Sequence, residues 1–208
     1  MLKVKILIFI FLIFIPSIVF INCSKKELEE RKYFLERVGD FQVLQVYADG
    51  FDELSLKEKL LAYYLSMASL AGRDIEYNQN HKFELEIRKI LEGIVTHPKS
   101  IDEGIFSKIE KYSKLFWMNN GHYNYRTSQK FVPEFTSDEF LDAAKKALEN
   151  GADLGLKSGE TIDEKLENLK KTIFDIDFEP VKTNKTPPPG EDIITGSANN
   201  LYDGVTLK

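Results

Sequence analysis

The sequence predicts a mainly α-helical protein, built as helical hairpins followed by an extended, Pro-rich segment. Three observations predict it. A start signal of one kind recurs, Ser or Thr with Glu three residues on. Behind each signal, apolar residues return with helical period. After about Asp177 that period stops, and most of the prolines follow.

The elements can be taken in order. Met1 to Lys5 carries two lysines and no acid, and Ile6 to Ile21 is almost wholly apolar. This reads as a secretory signal with a basic start and an apolar core. Cys23, the sole cysteine, follows that core and precedes a charged run, where a bacterial lipoprotein carries its acylated cysteine. Asn22 before it departs from the usual small residue. An uncleaved signal anchor is the alternative, although the apolar run is short for a span of about 20 residues and contains Pro16. Phe41 to Ala48, "FQVLQVYA", reads as a short strand or extended segment. Capping boxes at Ser55–Glu58, Ser100–Glu103, Thr136–Glu139 and Thr161–Glu164 predict four helix starts. A further helix is expected from near Asn80 to before Pro98. Gly72 and Gly151 are placed to end helices. "DIITGSANN" reads as a strand and turn.

Composition narrows the function. With 28 basic and 33 acidic residues the net charge is −5; loss of residues 1–22 would leave 26 basic residues and a charge of −7. No basic cluster offsets this, so a nucleic-acid partner is not expected. A lipidated Cys23 leaves no thiol for a disulfide, a nucleophile or a thiolate metal site. His81, His97 and His122 are the only histidines, none is followed by Glu, and no pair has the spacing of a zinc-binding helix. No Gly-x-Ser-x-Gly and no phosphate-cradling Gly-rich loop occurs. No catalytic and no metal-ligating residue is therefore assigned.

One stretch remains, "FWMNNGHYNYRTSQKFVPEF" from Phe116 to Phe135. Asn119, Asn120 and Gly121 suit a tight turn, because Gly and Asn tolerate a positive φ. Tyr hydroxyls, Asn amides and aromatic faces suit an extended peptide, which needs backbone hydrogen bonds and apolar pockets. The plainer reading is a helix end whose aromatics fold onto the core.

"ELSLKEKLLAYYLSMASLAGRDI" (Glu53 to Ile75), the Asn-Gly turn followed nine residues later by "KF-x-P", and "GSANNLYDGVT" resemble the amino-terminal region of the dipeptidyl-peptidase III family, particularly its bacterial members. The resemblance covers roughly Phe41 to Lys208. It implies a zinc-dependent exopeptidase that releases dipeptides from the amino ends of short peptides, with two lobes and a wide cleft. The complete family's lower lobe is α+β. Its zinc sits on a helix with His-Glu-x-x-Gly-His, and no such motif exists in these 208 residues. The resemblance therefore implies an enzyme front lacking its carboxy-terminal lobe, inactive alone and binding no zinc. A non-catalytic, peptide-binding envelope lipoprotein is the alternative.

The implied organisation is a signal peptide over 1–22, a lipidated cysteine with tether or first helix over 23–40, a helical region over 41–178, and an extended segment cut short over 179–208. The implied substrate-binding residues are Asn120, Gly121, Tyr123, Tyr125 and Arg126. The family usually has an aromatic residue where this chain has Arg126. Gly72, Arg73 and Asp74 are expected to be structural, as a buried ion pair beside a helix end. The helices at 56–71 and 104–118 are expected to expose apolar faces that the missing lobe would cover.

Overall fold

The computed structural model describes residues 31–207. The signal segment and Cys23 lie outside the described residues. The architecture is mainly α, with one two-stranded sheet among the described residues. Strands β1 (Phe34–Val38) and β2 (Phe41–Leu44) form an antiparallel hairpin, Val38 facing Phe41 and Phe34 facing Leu44, with an irregularity between Phe34 and Glu36. Gly39 turns it with a φ of 57°. Of the segment 23–40, expected to be a tether or first helix, the described part carries strand β1 and no helix, and residues 40 and 41 lie within one hairpin. The alternating sequence of Phe41 to Leu44 suits a partly covered ribbon.

Helix α1 (Leu56–Gly72) follows, then α2 (Asp74–Asn80), α3 (Glu84–Thr96), α4 (Glu103–Asn119), α5 (Ser137–Glu149) and α6 (Ile162–Phe174). The boxes at Ser55, Thr136 and Thr161 form as expected, each side chain accepting from the backbone N–H three residues on while the Glu reaches back. The box expected at Ser100 does not form. Asp102 caps α4 instead, accepting from Ile105 N at 3.0 Å. Ser100 lies in the left-handed region at φ 67°. The helix expected from near Asn80 begins at Glu84, because Asn80 closes α2 and His81 is extended.

Four helices make the core. Ile87, Ile90, Leu91 and Ile94 of α3 meet Ile109, Tyr112 and Phe116 of α4. Both sets follow the three- and four-residue steps of one helix face. The stripe Ala143, Ala144 and Ala147 lets α5 approach closely, and Ile162, Leu166, Leu169 and Ile173 of α6 complete the cluster. So the expectation for 104–118 is corrected: α4 buries its apolar face within this chain. Helix α1 behaves as expected. None of its residues is buried, and Leu56, Leu61, Tyr64 and Leu65 are each about 60% exposed or more.

Arg73 and Asp74 do not make a buried pair. Their contact is 3.7 Å long and exposed, and Asp74 instead accepts from the buried Arg88. After α6 the chain is extended but not separate from the core. Val181 bridges Gln129, and Lys182 N donates to Ser128 O at 2.8 Å. Asn199 N returns to Lys182 O, and Asn200 N to Gln79 O at 2.9 Å. The segment from Asp192 to Asn200 forms hydrogen-bonded turns rather than the strand expected there, with Gly196 N donating to Asp192 O.

Candidate functional site

The site is built where α4 ends. Asn120 adopts the left-handed conformation (φ 53°, ψ 39°) and caps the helix, and Gly121 N donates to Phe116 O at 2.9 Å. Gly121 takes a φ of 145° directly against Glu84, where a Cβ would lie 2.2 Å from Oε1. Only glycine fits there.

Glu84 is the reason the next residues turn inward. Its Oε1 accepts from His122 N at 3.1 Å, and His122 Nδ1 lies 2.8 Å from the same oxygen. Glu84 Oε2 and His122 Nε2 have no hydrogen-bond partner among the described residues. Both side chains are fully buried. Burial pushes the His122 pKa down, and Glu84 pulls it partly back. The Tyr123 ring packs against His122 in a tilted pair, centroids 4.3 Å apart, and its hydroxyl donates to Glu179 O at 2.8 Å. Burial pushes that phenol's pKa up.

His81 closes the cluster from α2. Its Nδ1 accepts from Phe83 N, so Nε2 carries the proton and donates to Glu179 Oε2 at 2.9 Å. That bond, ahead of the other causes, holds the Glu179 carboxyl below its ordinary range. Lys130, the lysine of "KF-x-P", is also buried and donates to the Asp175 and Phe178 carbonyls.

Above this floor the loop comes out to solvent. Asn119 Oδ1 accepts from Tyr125 N at 3.0 Å, and Asn124 Oδ1 accepts from Arg126 N and Thr127 N. Tyr125 is 52% exposed. Arg126 Nε donates to its hydroxyl at 2.8 Å, and Phe41 of the hairpin stands 6.2 Å from its ring. Tyr125 lines two cavities. One, of about 440 Å³, is lined by Glu76, Asn80, Asn119, Asn120 and Lys182. The other, of about 550 Å³, is lined by Asp40, Phe41, Gln42, Asn124, Arg126 and Thr127.

Of the five expected binding residues, Asn120, Tyr125 and Arg126 reach these cavities. Gly121 and Tyr123 are interior and line neither. Glu84 occupies the space beside Gly121, and Tyr123 is 1% exposed. Sequence reasoning missed Glu84, Glu76, Glu179 and Lys182. Glu84 looked like any acid of a first helical turn, and Lys182 sits in a segment without period. Among the described residues no group of three His, Cys, Asp or Glu side chains is arranged to hold a metal ion. No step through zinc is assigned to this chain.

A scan against protein-family models finds no match for this chain, and a search of curated proteins finds no relative.

Proposed function

We propose that this chain supplies one wall of a cleft that holds short peptides in extended form, as the amino-terminal part of a peptidase resembling the dipeptidyl-peptidase III family. The observation that carries the reading is Tyr125 with Arg126, exposed at two cavities and braced by a buried polar floor. An extended peptide sends alternate side chains to opposite sides. Two cavities that share one aromatic residue can take such a pair, while Tyr125 and Arg126 offer hydrogen bonds to its backbone.

Helix α1 supports the larger assembly. A helix that is apolar all round belongs in an interior. Here Leu60, Leu61, Tyr63, Tyr64 and Leu65 cover several faces and all are exposed. On this reading a further lobe covers α1 and carries the zinc and the chemistry. The chain itself sits at the cell envelope, held by a lipid on Cys23.

The test is a calorimetric titration of the full-length chain, in mild detergent, with tetra-alanine. The unaltered chain binds, and Tyr125→Ala with Arg126→Ala weakens binding about tenfold or more, as loss of a central aromatic–Arg pair does. Equal binding by both proteins, or none by either, overturns the proposal.

A further inference from the structure

We infer that the cavity between α2, the end of α4 and Lys182 is a carboxylate subsite, seating a carboxylate of the bound peptide on the Lys182 ammonium. This rests on the peptide-binding reading above and names which part of the peptide the cavity takes.

Lys182 differs from the shielded cations that are held in ion pairs. Arg88 pairs with Asp74 and Glu92, Lys114 with Glu36 and Glu110, and Lys165 with Glu86 and Glu160. Lys130 is spent on two backbone carbonyls in the interior. Lys182 is partly buried and lines a cavity, yet among the described residues its ammonium donates only to the neutral Asn80 Oδ1, at 3.2 Å, with the Glu84 and Glu76 charges acting on it from beyond ion-pair distance. An ammonium has three donors. Two of these have no partner among the described residues.

The group is also held in place. Lys182 N donates to Ser128 O at 2.8 Å, and its own carbonyl accepts from Asn199 N at 3.0 Å and Asn199 Nδ2 at 3.1 Å. Asn80, the partner of the ammonium, is itself fixed by donating to the Asn119 and Asn120 carbonyls. A cation whose backbone and first partner are both clamped is pre-organised for a ligand. Burial lowers the Lys182 pKa, and an anion in the cavity would reverse that.

Glu76 decides which anion. It lines the same cavity, and its Oε2 accepts from Asn120 Nδ2 at 2.6 Å. A carboxylate there disfavours a doubly charged phosphate and tolerates a singly charged group with N–H donors beside it. A peptide carboxylate with its adjacent amide N–H fits. The volume, about 440 Å³, lies in the range of small-ligand sites. Met118 and the Tyr125 ring supply its apolar part.

The experiment compares tetra-alanine free acid with tetra-alanine amide, by titration of the full-length chain at pH 7. The free acid binds about tenfold tighter, the worth of a charge-assisted hydrogen bond. Lys182→Met brings the acid down to the amide and leaves the amide unchanged. Inorganic phosphate does not compete. A third peptide, amidated but ending in glutamate, separates the sources of the carboxylate: tight binding assigns the subsite to an acidic side chain as well as to a chain end. If acid and amide bind equally while Tyr125 and Arg126 still matter, the subsite is overturned and the peptide cleft stands. If neither binds, both fall. Competition by phosphate also overturns it. The acid–amide comparison uses the unaltered chain, so it decides the matter even if Lys182→Met does not fold.

Discussion

At the residue scale the site hangs on one close approach. Gly121 lies against the Glu84 carboxylate, and that carboxylate turns His122 inward. Gly121→Ala would place a methyl 2.2 Å from Oε1 at a φ of 145°. We expect it to destabilise the protein by about 2–4 kcal/mol, as strain and displacement of a buried group together do. Urea unfolding measures this, and a loss under about 0.5 kcal/mol, the range of neutral surface changes, contradicts it. The same floor gives a pH dependence. The folded His122 has its pKa lowered by burial, whereas the unfolded chain titrates at the ordinary histidine value of 6.5. Below 6.5 the unfolded state therefore binds more protons. Stability is flat above about pH 6.5 and falls as the pH drops below it. Glu179, lowered by His81, adds a separate loss only below the ordinary carboxylate value of 4.5. Urea midpoints at pH 7.5 and 5.5 should differ in the unaltered chain and much less in His122→Gln; equal slopes in the two proteins contradict the assignment. The Asn120 turn was legible in the sequence, since Asn-Asn-Gly announces a positive φ. The burial of Tyr123 was not, because its partner Glu179 lies 56 residues away.

At the element scale the capping residues were the most legible feature. Ser55, Thr136 and Thr161 act as local chemistry requires, within four residues. The misreading at Ser100 has a local cause too. Ser100 and Asp102 are both good caps, and the turn from Pro98 to Ile101 gives the role to Asp102. What the sequence could not distinguish was which apolar helix finds a partner. Helices α1 and α4 have the same length. Only α4 has a one-sided stripe, Ile109, Tyr112 and Phe116, which reaches α3. We expect Leu61→Glu in α1 to change stability by less than about 0.5 kcal/mol, and Ile90→Ala in α3 to lower it by about 2–5 kcal/mol. Thermal or urea melts of the two variants check this. A large loss from Leu61→Glu would mean that α1 is already covered.

At the scale of the whole molecule the chain divides by how well it is covered. The helices α3 to α6 and the extended segment from Asp175 share one core and one hydrogen-bonded floor. The hairpin, through its Tyr33 and Phe34, and α1 carry most of their apolar surface outside. Backbone amides of α1 should therefore exchange with solvent faster than those of α3 and α4 by at least about a hundredfold, since local opening there disrupts no buried contact. Mass-spectrometric hydrogen exchange reads this directly; equal protection would contradict it. The covered part also explains why the site was only half legible. Its loop was readable as a continuous aromatic and amide-rich stretch, whereas its floor and Lys182 come from three distant segments.

The measurement that tests the central claim most directly is photo-crosslinking of the full-length chain with a short peptide carrying a benzophenone, followed by peptide mapping. The account predicts labels on 119–127, on residues of the hairpin turn near Phe41, and near Lys182. Labels confined to α1, or spread evenly over the surface, would contradict a peptide cleft at Tyr125.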